Sequence, residues 1–239
     1  MTNDAARLNV LISGGFTGAY ERLLPEFKRA SGITVVTGSG ASQGAGPQTI
    51  AAQLARGVPA DVVILSREGL TELIAAQRIA AGTDVDLARV PLGVAVPATA
   101  AKPDVGTVER FKQTVLKAKC VAIPASTSGI WLTSELFPRL SIATANVRTM
   151  PRGSDATAAV AAGRADLAVL PVSEIIPAIG VAFAGSLAPE IQFVQTFSAA
   201  AVAGSAAMAD AKRLIEYLAS PRAAPAISAS GMVPLATAT

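Results

Sequence analysis

Gln53-Leu54-Ala55-Arg56-Gly57-Val58-Pro59-Ala60-Asp61-Val62-Val63-Ile64 passes from one kind of local structure to another within a dozen residues. Gln48 to Arg56 has helical spacing and ends at Gly57, a residue that leaves a helix through a left-handed conformation without a Cβ penalty. Val58-Pro59-Ala60 cannot continue the helix, and Asp61 to Leu65 is an apolar, β-branched run that reads as a buried strand. The same grammar returns downstream: Asp155 to Ala162 reads as a helix stopped by Gly163, and Leu167 to Pro171 as the strand after it. A helix that ends in glycine and feeds an apolar strand, used twice, is the signature of a parallel α/β fold.

Working outward, Leu8 to Ser13 and Ile33 to Thr37 read as strands around a helix from Gly18 to Ser31, with Tyr20, Leu23, Leu24 and Phe27 on one face. Leu70 to Gln77 is a further helix. Val90 to Pro97 and Val121 to Pro124 are strands flanking the helix Val108 to Ala118. Trp131 to Leu140 reads as helical, Val147 to Met150 as a strand, Ile191 to Phe197 and Ala200 to Ala203 as extended, and Ala207 to Ala219 as an amphipathic helix ending at Ser220-Pro221. This spacing predicts an α/β fold of two lobes, each a mostly parallel sheet flanked by helices, facing one another across a cleft. The expected lobes are residues 1–90 with 198–239, and residues 91–197, joined by extended segments near 90 and 197.

Four apolar runs empty into short hydroxyl- and glycine-rich loops: Ser13-Gly14-Gly15, Ser39-Gly40-Ala41-Ser42, Ser126-Thr127-Ser128-Gly129 and Gly153-Ser154. Free amides at helix N-termini, the helix dipole and neutral hydroxyl donors all favour an anion there. In open parallel sheets ligands bind outside the carboxyl ends of strands, where all four loops fall. Ser13, Gly14, Ser39, Ser42, Ser126, Thr127, Ser128, Gly129, Ser154 and, after the seventh apolar run, Ser173 are therefore the candidate ligand-binding residues. The competing reading of each is an ordinary N-cap. Arg67, just past the third strand, and Arg152, at the fourth loop, are the candidates for a carboxylate clamp. Glu174 is the candidate proton-transfer residue if the protein is an enzyme and burial raises its pKa; helix capping is the alternative.

Composition narrows the chemistry further. There is no histidine, so no side chain titrates near neutral pH without a perturbed pKa. The formal charge is +3 and dispersed, which argues against nucleic acid. With 51% hydrophobic residues but every apolar run interrupted by Pro, Gly or charge, no membrane insertion is expected. The one cysteine, Cys120, reads as an apolar filler in a strand. Gly38 to Gly46 lacks the Gly-Lys-Ser/Thr of a phosphate loop, and Asp61 and Asp166 begin strands at the end away from the loops, so neither a nucleotide, another cofactor nor a metal is expected. Trp131 is read either as a pocket wall or as core. Met1 to Arg7 carries no apolar stretch, so the chain as written reads as cytoplasmic, or as periplasmic where a signal has been removed. It reads as a monomer.

The opening stretch, with its Pro59-Ala60-Asp61, resembles the ModA-like molybdate-binding protein family of the type II periplasmic-binding-protein fold. Gly163-Arg164-Ala165-Asp166-Leu167-Ala168-Val169 is similar to that family's Gly-x-Ala-Asp strand, Ser128-Gly129-Ile130-Trp131 to its Ala-Gly-x-Tyr turn, and Ser220-Pro221-Arg222-Ala223-Ala224 to its Ser-Pro-x-Ala close. Pro171 stands where the family has a ligand-touching tyrosine, and the loop through Gln43-Gly44-Ala45-Gly46-Pro47 is longer, departures that imply a pocket of different size. The resemblance implies a solute-binding protein that closes over a small anion, an oxyanion or a small carboxylate, with an ABC permease as partner if exported. The branch also includes an aconitate isomerase, which implies the alternative of an enzyme shifting a double bond in a small polycarboxylate.

Overall fold

A computed structural model describes residues 7–235, so the reading of the first six residues lies outside the described residues. The chain runs through β1 (Arg7–Ile12), α1 (Gly14–Ser31), β2 (Thr34–Ser39), α2 (Ile50–Ala55), β3 (Val62–Ser66) and α3 (Arg67–Ala75) into β4 (Val85–Pro97). There follow α4 (Val108–Lys117), β5 (Val121–Pro124), α5 (Thr127–Trp131), α6 (Phe137–Arg139), β6 (Val147–Met150), α7 (Gly153–Ala161), β7 (Leu167–Pro171), α8 (Val172–Ile175) and β8 (Val181–Ser186). The last elements are β9 (Val194–Ala201), α9 (Met208–Ala219), α10 (Ala224–Ala229) and β10 (Val233–Pro234). Two compact units result: one holds the chain up to Arg89 and from Thr196 onward, the other Val90–Gln195. The strands β4 and β9 each carry the chain from one unit into the other.

In the first unit β1 lies between β2 and β3, all parallel, and β9 adds antiparallel to β3 from Val62↔Ala201 to Ser66↔Phe197. Its core includes Leu11, Ile50, Val63, Leu65, Leu70 and Leu73, which bury one face of the sheet against α2 and α3. In the second unit β5 lies between β6 and β7, all parallel, and β4 pairs antiparallel with both β7 and β8. Phe111, Val115, Val121, Leu132, Phe137 and Val169 centre the core on one face of this sheet, and the alanines of α7 with Ala122, Ala168 and Leu170 fill the other. Small side chains on α7 let that helix approach the sheet closely.

The helix-turn-strand motif folds as its residues demand. Gly57 and Gly163 both take a positive φ, 77° and 68°, directly after α2 and α7, a conformation that costs most residues strain. The motif aspartates then fasten each strand to its neighbour. Asp61 Oδ2 accepts from the Asn9 amide (2.7 Å) and Asn9 Nδ2 (3.0 Å), and its Oδ1 from Ser205 Oγ (2.7 Å). Asp166 Oδ2 accepts from the amides of Lys119 (2.5 Å) and Cys120 (3.0 Å). Both aspartates thus satisfy amides at the start of a parallel strand, the end opposite the hydroxyl-rich loops.

Some elements differ from the expectation. The first helix begins at Gly14 rather than Gly18, and α3 begins at Arg67 immediately after β3. The segment read as one helix from Trp131 to Leu140 contains a wider π turn over Leu132–Leu136. The two extended pieces at Ile191 and Ala200 are a 3-10 turn at Pro189–Ile191 followed by the single strand β9. The strands β8 and β10 and the helices α8 and α10 lie outside the elements read from the sequence. Cys120 is half-buried at the margin of the core rather than fully inside it.

Candidate functional site

In the first unit the carboxyl ends of β1, β2 and β3 lie side by side, because Ile12 pairs with both Ser39 and Ile64. Ser13 donates its amide to the Ile64 carbonyl (2.8 Å) and stands at the N-cap of α1 with extended backbone. Its hydroxyl does not cap the helix. Buried at 3% exposure, Ser13 Oγ has no hydrogen-bond partner among the described residues. Gly14 opens the helix beside it. Ser39 closes β2 with an exposed side chain, while its carbonyl accepts from Gln53 Nε2 (3.0 Å), which also bonds the Gln48 carbonyl (3.2 Å) and so shapes the loop. Ser42 is buried, its hydroxyl accepting from the Ser66 amide (2.9 Å), and the Ser66 hydroxyl in turn accepts from the Gly69 amide to cap α3.

Arg67, the first residue of α3, is engaged within its own unit. Its Nη1 donates to Asp84 (2.7 Å), its Nε to Asp86 (2.7 Å), and Nη2 also bonds Asp86. Asp86 accepts in addition from the buried Ser198 Oγ (2.6 Å). Burial pulls the Arg67 pKa down, but the bonds from Asp84 and Asp86 outweigh it and the net direction is upward. The expected carboxylate clamp is here an internal tie between α3 and the strands β4 and β9.

In the second unit β6, β5 and β7 end together, with Pro124 opposite Met150 and the Ala125 amide donating to the Met150 carbonyl (2.6 Å). Ser126 caps α5 with extended backbone and a half-buried side chain that makes no capping bond. Thr127 and Ser128 are buried in the first turn, and α5 sits so close to the strand that a Cβ on Gly129 would lie 1.7 Å from the Pro124 carbonyl oxygen. Arg152 precedes α7 with an exposed side chain whose Nε reaches Asp155 (3.2 Å); that hydrogen bond raises its pKa. Ser154 is exposed on the first turn of α7.

Ser173 and Glu174 leave the end of β7. Ser173 is 2% exposed, and its Oγ, like that of Ser13, lacks a partner among the described residues. Glu174 is half-buried and its carboxyl lies over Gly153, the first residue of α7: a Cβ there would fall 2.4 Å from Oε2. No hydrogen bond or ion pair holds this carboxyl among the described residues. Burial pushes its pKa up to about 7.

The second unit therefore brings Ser126, Thr127, Ser128, Gly129, Arg152, Ser154, Ser173 and Glu174 to one end of its sheet, and the first unit does the same for Ser13, Gly14, Ser39, Ser42 and Arg67. Chemically, each set offers neutral hydroxyls and backbone amides, donors suited to an anion taken out of water. Trp131 stacks on Phe193 (5.1 Å between rings) against the core of the second unit. Sequence reading missed Gln53, Ser66 and the Asp84–Asp86–Ser198 cluster, whose only trace was a pair of aspartates two apart before a strand. Among the described residues no group of three or more acidic or cysteine side chains gathers as metal ligands, and no helix is long and apolar enough to cross a membrane.

Known proteins share the family and the fold. A family model described as bacterial extracellular solute-binding protein matches residues 8–233. An aconitate isomerase from Pseudomonas sp. is 36% identical over 231 residues, covering 95% of this chain and 88% of the relative. Among solved structures, the periplasmic molybdate-binding protein of Azotobacter vinelandii superposes with a TM-score of 0.74 at 22% identity, covering 95% of this chain and 98% of that one. A sulfate-binding protein from Mycobacterium tuberculosis gives 0.74 at 18% identity, covering 96% and 87%. These two likenesses establish the type II periplasmic-binding-protein fold.

Proposed function

Because this chain belongs to the bacterial extracellular solute-binding protein family, we propose that its solute is a small polycarboxylate and that it isomerises that solute by moving a double bond, as an aconitate isomerase does. The observation that carries the anion is that each unit holds, at the carboxyl end of a strand, a buried hydroxyl without a hydrogen-bond partner among the described residues, Ser13 Oγ in the first and Ser173 Oγ in the second. A buried hydroxyl without a partner costs about 1–3 kcal/mol, a cost that a bound anion removes. The relative that is 36% identical across nearly the whole chain directs the choice toward a polycarboxylate rather than a tetrahedral oxyanion.

The chemistry asked of the site is modest. A base removes a proton from the methylene carbon beside the alkene, and the electron pair spreads over three carbons onto an adjacent carboxylate. A proton then returns to the far carbon. The double bond has moved, no group has left and nothing is oxidised. Negative charge builds on the substrate carboxylate during the step, and hydroxyls and amides fixed by strand ends and helix turns stabilise it without reorganising.

A second reading is favoured by the family's own description and by the molybdate- and sulfate-binding proteins that share the fold: a non-catalytic carrier that delivers its anion to an ABC permease. A thermal-shift panel of trans-aconitate, propane-1,2,3-tricarboxylate, molybdate, tungstate, sulfate and phosphate separates the two. A ligand at a hundred times its dissociation constant adds about 2.7 kcal/mol of stability. Stabilisation by the tricarboxylates alone, with cis-aconitate appearing in the trans-aconitate sample, supports the isomerase. Stabilisation by molybdate or sulfate without conversion of trans-aconitate supports the carrier.

A further inference from the structure

We infer that Glu174 is the catalytic acid–base of this chain, taking a proton from one carbon of the bound polycarboxylate and returning it to another, an assignment that rests on the isomerase reading above. A glutamate just after a strand ordinarily caps the next helix or pairs with a cation, and Glu174 does neither: among the described residues its carboxyl has no hydrogen bond and no ion pair. The elements packed against α8 are β7, α7 and β8. The strands β7 and β8 carry no charged side chain, and Arg152 and Asp155 at the start of α7 are bonded to one another. A half-buried carboxyl left uncommitted is unfavourable for stability, and such features concentrate where chemistry needs them.

The seat of the carboxyl is specific as well. Both oxygens lie over Gly153, where a Cβ would stand 2.4 Å from Oε2 and 2.5 Å from Oε1, so a glycine at 153 is the condition for this placement. Next to it in sequence, Ser173 holds a buried hydroxyl without a partner among the described residues, a donor available to a substrate carboxylate. Burial pushes the Glu174 carboxyl up to about 7, where acid and carboxylate are both populated at neutral pH and proton transfer in either direction is efficient. In a chain without histidine, this is how a group of matched pKa is obtained.

The proton balance closes on one residue. The Glu174 carboxylate accepts the methylene proton as the C–H bond breaks, and becomes the carboxylic acid while the electron pair spreads through the allylic system. The acid then donates a proton to the far alkene carbon and is a carboxylate again. No oxidant, reductant or second base is required.

The test uses the full chain with trans-aconitate in D2O, followed by proton NMR, for wild type, Glu174→Gln and Glu174→Asp. Glu174→Gln is expected to lower turnover about 1,000-fold, within the range lost with a general base, and to lower by the same factor any deuterium entry that wild type shows. It should still be stabilised by propane-1,2,3-tricarboxylate, a saturated analogue that cannot react, which also shows that the variant is folded. Wild-type turnover should rise with pH through about 7, and Glu174→Asp should keep measurable activity with that profile displaced. Turnover by Glu174→Gln within tenfold of an active wild type overturns the assignment and leaves the isomerase reading standing. A wild type that neither converts nor exchanges trans-aconitate overturns the isomerase reading, and the assignment with it. If Glu174→Gln does not fold, an unchanged pH profile in Glu174→Asp overturns the assignment.

Discussion

Replacing Glu174 by glutamine should change the pH dependence of folding stability in a calculable way. Burial raises this carboxyl from its ordinary value of 4.5 to about 7. Below 4.5 the group is protonated in both folded and unfolded chains and has no effect. As pH rises through 4.5 the unfolded chain loses the proton while the folded chain keeps it, so unfolding becomes progressively easier. Above about 7 both states are ionised and the penalty is complete. At about 1.4 kcal/mol per pH unit the full penalty approaches about 3 kcal/mol. Glutamine has the same shape and no charge to desolvate, so it removes the penalty. Urea unfolding of both proteins at about pH 4.5 and about pH 8 should show Glu174→Gln gaining about 2–3 kcal/mol on wild type between the two conditions. A gap that does not change with pH refutes the claim that burial, without a partner among the described residues, raises the pKa of Glu174.

Ser13→Ala should leave folding stability unchanged or raise it by up to about 1 kcal/mol, since the hydroxyl it removes has no partner, while weakening trans-aconitate binding by about 1–2 kcal/mol; paired urea melts and calorimetric titrations read both. Asp61→Ala should lose about 3 kcal/mol of stability, because the Asn9 amide and side chain and the Ser205 hydroxyl all lose their acceptor, and denaturant unfolding would show it. Gly153→Ala places a methyl group against the Glu174 carboxyl, the mobile end of its side chain, and should displace it with little change in stability in urea melts and with loss of turnover.

The parallel core was readable because each inner strand announces itself: Val62 to Leu65 and Leu167 to Leu170 are unbroken apolar runs, and the helices before them stop at glycines that must take positive φ. Of the antiparallel additions, most of β4 and parts of β9 were readable as extended, whereas their antiparallel pairing, the continuity of β9, and the strands β8 and β10 were not. The second half of β9 is Ser198-Ala199-Ala200-Ala201, residues without strand preference that pair alongside β3. The strand β8 carries Gly185 opposite Val94, where the register slips, and its residues are all half-buried, so it shows no alternation. At the candidate site the hydroxyls could be located because they follow strands. Their partners could not, since the Glu174 contact with Gly153, the Arg67 tie to Asp84 and Asp86, and the Gln53 brace on the Ser39 loop join residues that periodicity does not link.

The measurement that bears most directly on the account is a time course of purified wild-type protein with trans-aconitate in D2O, followed by proton NMR. cis-Aconitate should appear over the time course. Trans-aconitate that stays unconverted, in a sample where the protein is folded and saturated with it, overturns the isomerase reading.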